Sequence, residues 1–460
     1  MSDQGNRNSE LDPDQKEQAE LVKICLLTVQ HFFGGFQQLF NRVVDPRDQS
    51  KITYPLVAMC FVGVQMFLFR LGARRQIKEK LRDNGRSIEK YQELFAIGNA
   101  PHGDSLNYLF KQLSVEHVQK VVSGMTQTLI RKKLLYPYRL FGYYLVAIDG
   151  TGMLTFPNRH CPHCLEYHHR SGTIYYHHVL EAKLVTDNGF AFSLMTEFVE
   201  NQAPNWTKQD CELKAFYRLA ERLKTCCPHL PVCLLADGLF ANGPTFSLCQ
   251  RYHWQYIISL KDDDLPSVNQ EFTALMPLLP DHHRTLVSGD YREIEQKFSW
   301  ANDIAYQDTE RNVHTLSVLQ CLETKPIPQR GVITTKFKWV TNFALTSDTA
   351  PILANKGGRL RWKIENEGFN CQKHGGFELE HAYSTHVNAH KIFYFFMQIA
   401  HIIFQLLQKG SLLRTLFSNG LGSAKNLAFR LLEAWRNAPF PSPAFFCAFP
   451  TRCQIRFDSS

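Results

Sequence analysis

The sequence predicts a mixed α/β fold, a sheet covered by helices, preceded by an all-α region. Three observations carry this. Apolar residues recur at helical spacing from Lys23 to Leu140, with breaks at Asn99 to Ser105 and Tyr136 to Arg139. Beyond Leu140 the period shortens to that of strands, in "GYYLVAIDGT" and in "HHVLEAKLVTDNGFAFSLMTEFV", which reads as two strands around a turn at Asp187, Asn188 and Gly189. An apolar run closed by an aspartate then returns in "VCLLADGLF", flanked by helical patterns. Two antiparallel strands ahead of a strand, helix, strand alternation make a mixed sheet.

The elements follow in order. Residues 1–22 are polar and acidic and read as a disordered start. Residues 23–140 form a helical, basic domain. The core spans 141–410: the β runs above, the amphipathic helix "KQDCELKAFYRLAERLK", the helix "FSLCQRYH" and the strand "WQYIISLK". Residues 262–335 break the alternation with β-like pieces such as "FSWANDIAYQD" and "VHTLSVLQCLE", which suggests an inserted β-rich subdomain. The strand "FKWVTNFALT", an acid-bearing helix and a long apolar helix complete the core, and residues 411–460 read as a helical tail.

Composition bounds the function. The 460 residues carry a net charge of +8 with 44% hydrophobic residues, as in a multidomain globular protein. Residues 51–140 hold 15 Lys/Arg against 6 Asp/Glu, a local excess of +9. Such an excess fits a polyanionic partner, double-stranded DNA being the expected one. The candidate phosphate contacts are Arg74, Arg75, Arg131, Lys132 and Lys133, with Lys78, Lys80 and Arg82 beside them. Two apolar runs, Pro55 to Phe69 and Lys391 to Leu407, are interrupted by Gln65 and by Gln398, His401 and Gln405, and read as buried helices rather than membrane spans. No secretory leader pattern opens the chain, and its 13 scattered cysteines fit reduced thiols, so a cytoplasmic, nucleoid-associated protein is expected.

The chemistry lies in three acids. Asp149 and Asp237 each close an apolar strand run and are followed by glycine. Carboxylates at strand ends sit where α/β sheets hold their ligands, although Asp-Gly alone is also an ordinary turn. In "GRLRWKIENEGFN", Gly358 to Asn370, Arg361 and Glu365 stand four apart and share a helical face, whereas Glu367 points about 200° away. Three converging carboxylates require cations between them, which points to divalent metal.

The order "AIDGT", "LADGLF", "RWKIENEGFN" resembles that of bacterial insertion-sequence transposases of the Asp-Asp-Glu type, whose catalytic core is RNase H-like. The resemblance covers about Pro101 to Ile403, including "APHGDSLN", "KQDCELKA" and "LEHAYSTH". It implies a DNA transposase that cleaves transposon ends and joins them to target DNA, acting as a homodimer on terminal inverted repeats. Asp149, Asp237 and Glu365 would hold two Mg²⁺ ions, replaceable by Mn²⁺, that activate the attacking oxygen and stabilise the leaving one. The subgroup motif Tyr, Arg, Glu, Lys, with two, three and six residues between, places its Arg on Arg361, a DNA contact. Its Tyr falls on Gly358 and its Lys on Gln372, with Lys373 one place later as the substitute contact. The alternatives are a catalytically silent DNA-binding derivative and a metal-dependent nuclease without joining activity.

One motif stands outside this scheme. "NRHCPHCLEYHH" offers Cys161 and Cys164 at zinc-knuckle spacing, with His160, His163, His168 and His169 around them and His177 and His178 downstream. A structural Zn²⁺ on Cys161 and Cys164 competes with free thiols in a surface loop. Because the segment follows Asp149, it is expected between the first two strands. Trp362, three residues before Glu365, reads as core more readily than as a base-stacking platform.

Overall fold

The structure is a computed structural model describing residues 12–201, 208–290, 293–417, 420, 422–440 and 454–457. The chain divides into two compact units, one formed by residues 1–129, 153–161 and 370–459, the other by 130–152 and 162–369.

The second unit is built on a sheet of ten strands among the described residues: β1 (Tyr144–Phe156), β2 (Leu165–His169), β3 (Gly172–Val185), β4 (Ala191–Val199), β5 (Val232–Ala236), β6 (Gln255–Ser259), β7 (His283–Ser288), β8 (Ile294–Gln307), β9 (Val313–Ile327) and β10 (Gly331–Thr341). Their order is β2-β3-β1-β5-β6-β10-β9-β8-β7, and β4 pairs with β3. β5 runs parallel to both β1 and β6, while β10, β9, β8 and β7 continue antiparallel. The β3–β4 hairpin turns at Gly189, whose φ of 84° suits glycine. The parallel step from β5 to β6 needs a crossover, supplied by the helix Gly243–Tyr252. Asn242 caps that helix by accepting from the Thr245 amide at 3.1 Å, and Pro244 sits in its first turn.

The β-rich stretch expected at 262–335 contains β7, β8 and β9, which continue the central sheet. Its strands pair through β10 directly onto β6, with Trp339 beside Ser259 and Thr341 beside Ile257, so they extend the central sheet instead of forming a separate body. Charged turns suggested a break, but a strand needs only an unpaired edge to join, and β6 offered one.

Alternation along the strands sorts two cores. Val146, Ile148, Leu234 and Ala236 point to one face, against Phe216, Leu219 and Ala220 of the helix Glu212–Cys226 and Phe246 of Gly243–Tyr252. Leu145, Ala147, Cys233 and Leu235 point to the other, with Trp339, Leu353, Leu360, Ile364 and Phe369. The segment carrying Glu365 therefore covers the face of the odd-numbered strand residues.

The first unit is largely helical, with long helices at Pro13–Phe33, Leu56–Leu68, Gly85–Phe95, Val115–Arg131, Ala389–Lys409 and Ala424–Asn437. Ala389–Lys409 is long and apolar enough to cross a membrane, yet it is almost wholly buried inside the protein. Its Phe396 ring stacks on Phe40 and Phe110, and Gly63 of Leu56–Leu68 comes so close that a Cβ there would lie 2.9 Å from the Phe396 ring. Polar residues that interrupt the two apolar runs find partners inside the protein: Tyr91 Oη donates to Gln65 Oε1 at 2.8 Å, although Gln65 Nε2 has no partner among the described residues, and Gln372 Nε2 donates to Gln398 Oε1 at 2.9 Å.

Two boundaries differ from the expected ones. Helix begins at Pro13, capped by Asp12, so part of the polar start is ordered, while residues 1–11 lie outside the described residues. The helical N-terminal region also does not close a core alone. Trp435, from the expected tail, packs its indole on Phe61 and Tyr91, and Lys90 Nζ donates to the Ala438 carbonyl at 2.5 Å. Amphipathic helices from opposite ends of the chain complete one another.

Candidate active site

The parallel register of β1 and β5 sets Ala147 beside Leu235. Asp149 and Asp237 each lie two residues further on, so the pleat carries both toward the face covered by the Glu365 segment. Asp149 stands within β1, not at its end as expected, because β1 runs on to Phe156. Asp237 does end its strand, and its Oδ1 caps the turn Gly238–Phe240 by accepting from the Leu239 amide at 3.1 Å.

Glu365 does not stand on a regular α-helix. Residues Gly358–Trp362 form a 3₁₀ turn and Ile364–Phe369 a π-helical turn, a distortion frequent at functional sites. The 200° separation expected for Glu365 and Glu367 thus does not hold as geometry, but their division of partners does. Arg361 Nη2 lies 3.0 Å from Glu365 Oε1, and Lys363 Nζ lies 3.1 Å from Glu367 Oε1.

Arg361 ties the site together. Its side chain is 7% exposed, and its Nη1 reaches Asp149 Oδ2 at 3.4 Å while Nη2 holds Glu365. It is both the helix brace and a bridge between two of the three acids. Trp362 is half exposed, contrary to the expected core position, with its ring 4.3 Å from the Arg361 guanidinium.

The electrostatics are those of crowded carboxylates. Burial raises the Asp149 pKa to about 7 against the pull of Arg361, with Glu365 adding to the rise. Burial raises Asp237 as well, opposed by the Leu239 amide and Arg361 and assisted by Glu212. Such groups ionise readily only when positive charge enters, and hard carboxylate oxygens suit Mg²⁺ or Mn²⁺. The donor set fits the divalent ions that the resemblance implies.

Two neighbours were not assigned to this site from the sequence: Glu212, and His178, which was counted only among the histidines near Cys161 and Cys164. His178 Nε2 and Glu212 Oε1 are 2.6 Å apart, and both crowd Gly150 so closely that no Cβ would fit there. "KQDCELKA" was conspicuous, but only the fold brings the first turn of its helix against the residue after Asp149.

The two departures from the subgroup motif have structural explanations. Gly358 lies against the indole of Trp339, itself buried, leaving no room for a tyrosine. Gly358→Ala is accordingly expected to destabilise the fold by about 1–3 kcal/mol, because Trp339 is walled in by the core. Unchanged urea unfolding of this variant would contradict that packing. Gln372 is fully buried in the first unit, hydrogen-bonded to Gln398 and within 3.0 Å of His401 Nδ1, and Lys373 is paired with Glu380 at 2.8 Å.

Of the basic candidates, Arg75, Arg131, Lys132 and Lys133 are exposed. Arg74 is partly covered and pairs with Asp104 at 3.2 Å. The Cys-x-x-Cys segment connects β1 to β2, and its Cys164 Sγ lies 3.7 Å from His177 Nε2 on β3.

Compared with protein-family profiles and with curated proteins, the chain matches none.

Proposed function

We propose that this chain is a DNA transposase of the Asp-Asp-Glu type with an RNase H-like core, which cleaves transposon ends and transfers them into target DNA as a homodimer. The observation that carries the reading is the buried Arg361 guanidinium that bridges Asp149 and Glu365 and whose charge also acts on Asp237. The strand order supports the core assignment, since an antiparallel hairpin precedes a parallel strand, helix, strand step.

Asp149, Asp237 and Glu365 would hold two Mg²⁺ ions, which when bound supply an activated attacking oxygen and a stabilised leaving oxygen. The protein's own part is positional. Strand pairing holds Asp149 and Asp237 in register, and the buried guanidinium orients Asp149 and Glu365. Arg361 keeps a buried Nε–H with no partner among the described residues, a donor suited to a phosphate oxygen. The exposed Arg75, Arg131, Lys132 and Lys133 would contact DNA backbone, giving an affinity that falls with salt.

The test uses the full chain and a duplex carrying the inverted repeats that flank its gene. Wild type is expected to nick this DNA at the repeat terminus in Mg²⁺ and then join it to a second duplex, while Asp237→Asn binds with near-normal affinity and does neither. Cleavage without joining would make the protein a nuclease. Unimpaired cleavage by Asp237→Asn would remove the metal assignment.

A further inference from the structure

We propose that the buried pair of Glu181 and Lys183 is a positioning element for Glu365, seating the π turn that carries this carboxylate. The inference rests on the reading of Glu365 as a metal ligand and adds to it the residues that hold the ligand in place.

Both side chains are fully buried, and Lys183 Nζ lies 3.1 Å from Glu181 Oε2. Taking two charges out of water is costly, and an interior tolerates them only when further hydrogen bonds complete their shell. Ser193 Oγ donates to Glu181 Oε2 at 2.7 Å, and Thr196 Oγ1 donates to Glu181 Oε1. Residues three apart on a regular strand point to opposite faces, so Ser193 and Thr196 could not both reach one carboxylate. A bulge makes it possible. The β3–β4 ladder pairs Ala182 with Met195 and Lys183 with Ser193, passing over Leu194. Leu194 and Met195 consequently face the same core, that of the helix Glu212–Cys226, and Ser193 and Thr196 both turn to the other side. Bulges next to active sites re-aim side chains in this way.

That other side is the one covered by the Glu365 segment. Alternation along β3 sends Glu181, Lys183 and Val185 there, and Val185 and Ala191 share a core with Ile364 and Phe369. Gly368, buried three residues after Glu365, rests on the lysine stem: a Cβ there would lie 3.2 Å from both Cδ and Cε of Lys183. The ammonium itself sits 5.7 Å from the Phe369 ring centroid. The turn Ile364–Phe369 thus has Lys183 beneath its second half and Arg361 at its leading carboxylate. An ion pair locked by two hydroxyls has one geometry, whereas an apolar floor could repack, so the pair fixes where the turn lies.

The test uses the full chain in two variants. Glu181→Gln combined with Lys183→Met removes both charges together and keeps the shape, because Lys183→Met alone would leave Glu181 buried and unpaired. Gly368→Ala disturbs the seat from the side of the turn and leaves the pair intact. Each variant is expected to lose amide-exchange protection over residues 364–369 while the β3–β4 hairpin keeps its own. Mn²⁺ should bind about tenfold or more weakly by electron paramagnetic resonance. On end-bearing DNA, kcat should fall by about 10²-fold with KM unchanged, since a displaced ligand alters the chemistry and not the grip on DNA. Wild-type exchange, Mn²⁺ affinity and kcat in the double variant would overturn the inference. If that variant does not fold, Gly368→Ala decides by the same measurements. A wild type that binds Mn²⁺ but leaves the DNA uncut would sink the transposase reading alone, and exchange and Mn²⁺ affinity would still decide this one.

Discussion

Glu365→Gln is expected to lower Mg²⁺-dependent strand cleavage by about 10³-fold or more while leaving end binding and the circular dichroism spectrum unchanged. The substitution keeps the length of the side chain and a hydrogen-bond acceptor for Arg361 Nη2, now 3.0 Å from Glu365 Oε1, but removes the charge that balances the metals. Losing several kcal/mol of transition-state stabilisation corresponds to that factor. Glu367→Gln, two residues away, should lose only its pair with Lys363 and remain within about threefold of wild type, since a partly exposed i,i+4 pair is worth a few tenths of a kcal/mol. Both variants are assayed on the same end-bearing DNA. An inactive Glu367→Gln beside an active Glu365→Gln would show that the wrong glutamate has been assigned.

Asp149→Asn is expected to abolish cleavage and, in chelator at pH 8, to make the protein more stable by on the order of 4 kcal/mol. Burial lifts this carboxyl from its ordinary 3.8 to about 7 in the folded chain. Below about pH 4 both folded and unfolded chains hold the proton. Between there and about pH 7 the unfolded chain releases it while the folded chain retains it, so the unfolded state binds fewer protons and stability falls as pH rises through this window. Asn, always neutral, removes that loss. A residual slope of the same sign remains from Asp237, which burial also raises. Urea unfolding in EDTA at pH 5 and pH 8 measures the difference, and equal pH dependence in wild type and Asp149→Asn would contradict the buried, charge-crowded placement. Mg²⁺ should stabilise wild type at pH 8 and have little effect on the variant, because binding to the folded state alone adds stability.

Asp149 and Asp237 stood out because a short apolar run leads into each, and both runs are strands in the fold. The pairing of Glu365 with Arg361 was legible from their spacing of four, and that spacing was read on a helix the protein does not form. The contact survived because a 3₁₀ turn followed by a π turn still brings residues four apart together. The place of Glu212 and His178 beside Gly150 was not legible. Their approach to Gly150 depends on which face of β1 the helix Glu212–Cys226 covers, a matter of packing between segments far apart in sequence.

By itself, then, the sequence determined most of the strands and helices, the burial of the two apolar runs, the pairing of Arg361 with Glu365 and the richness in ligands of residues 160–178. Each of these follows from local period, composition or short spacing. The tertiary structure alone decided that residues 283–341 extend the central sheet, that the helices near the two ends of the chain share one core around Trp435, and that His177 rather than His168 or His178 faces Cys164. Strand registry and the matching of apolar faces choose among partners that look equivalent in sequence, and both are properties of segments already brought together.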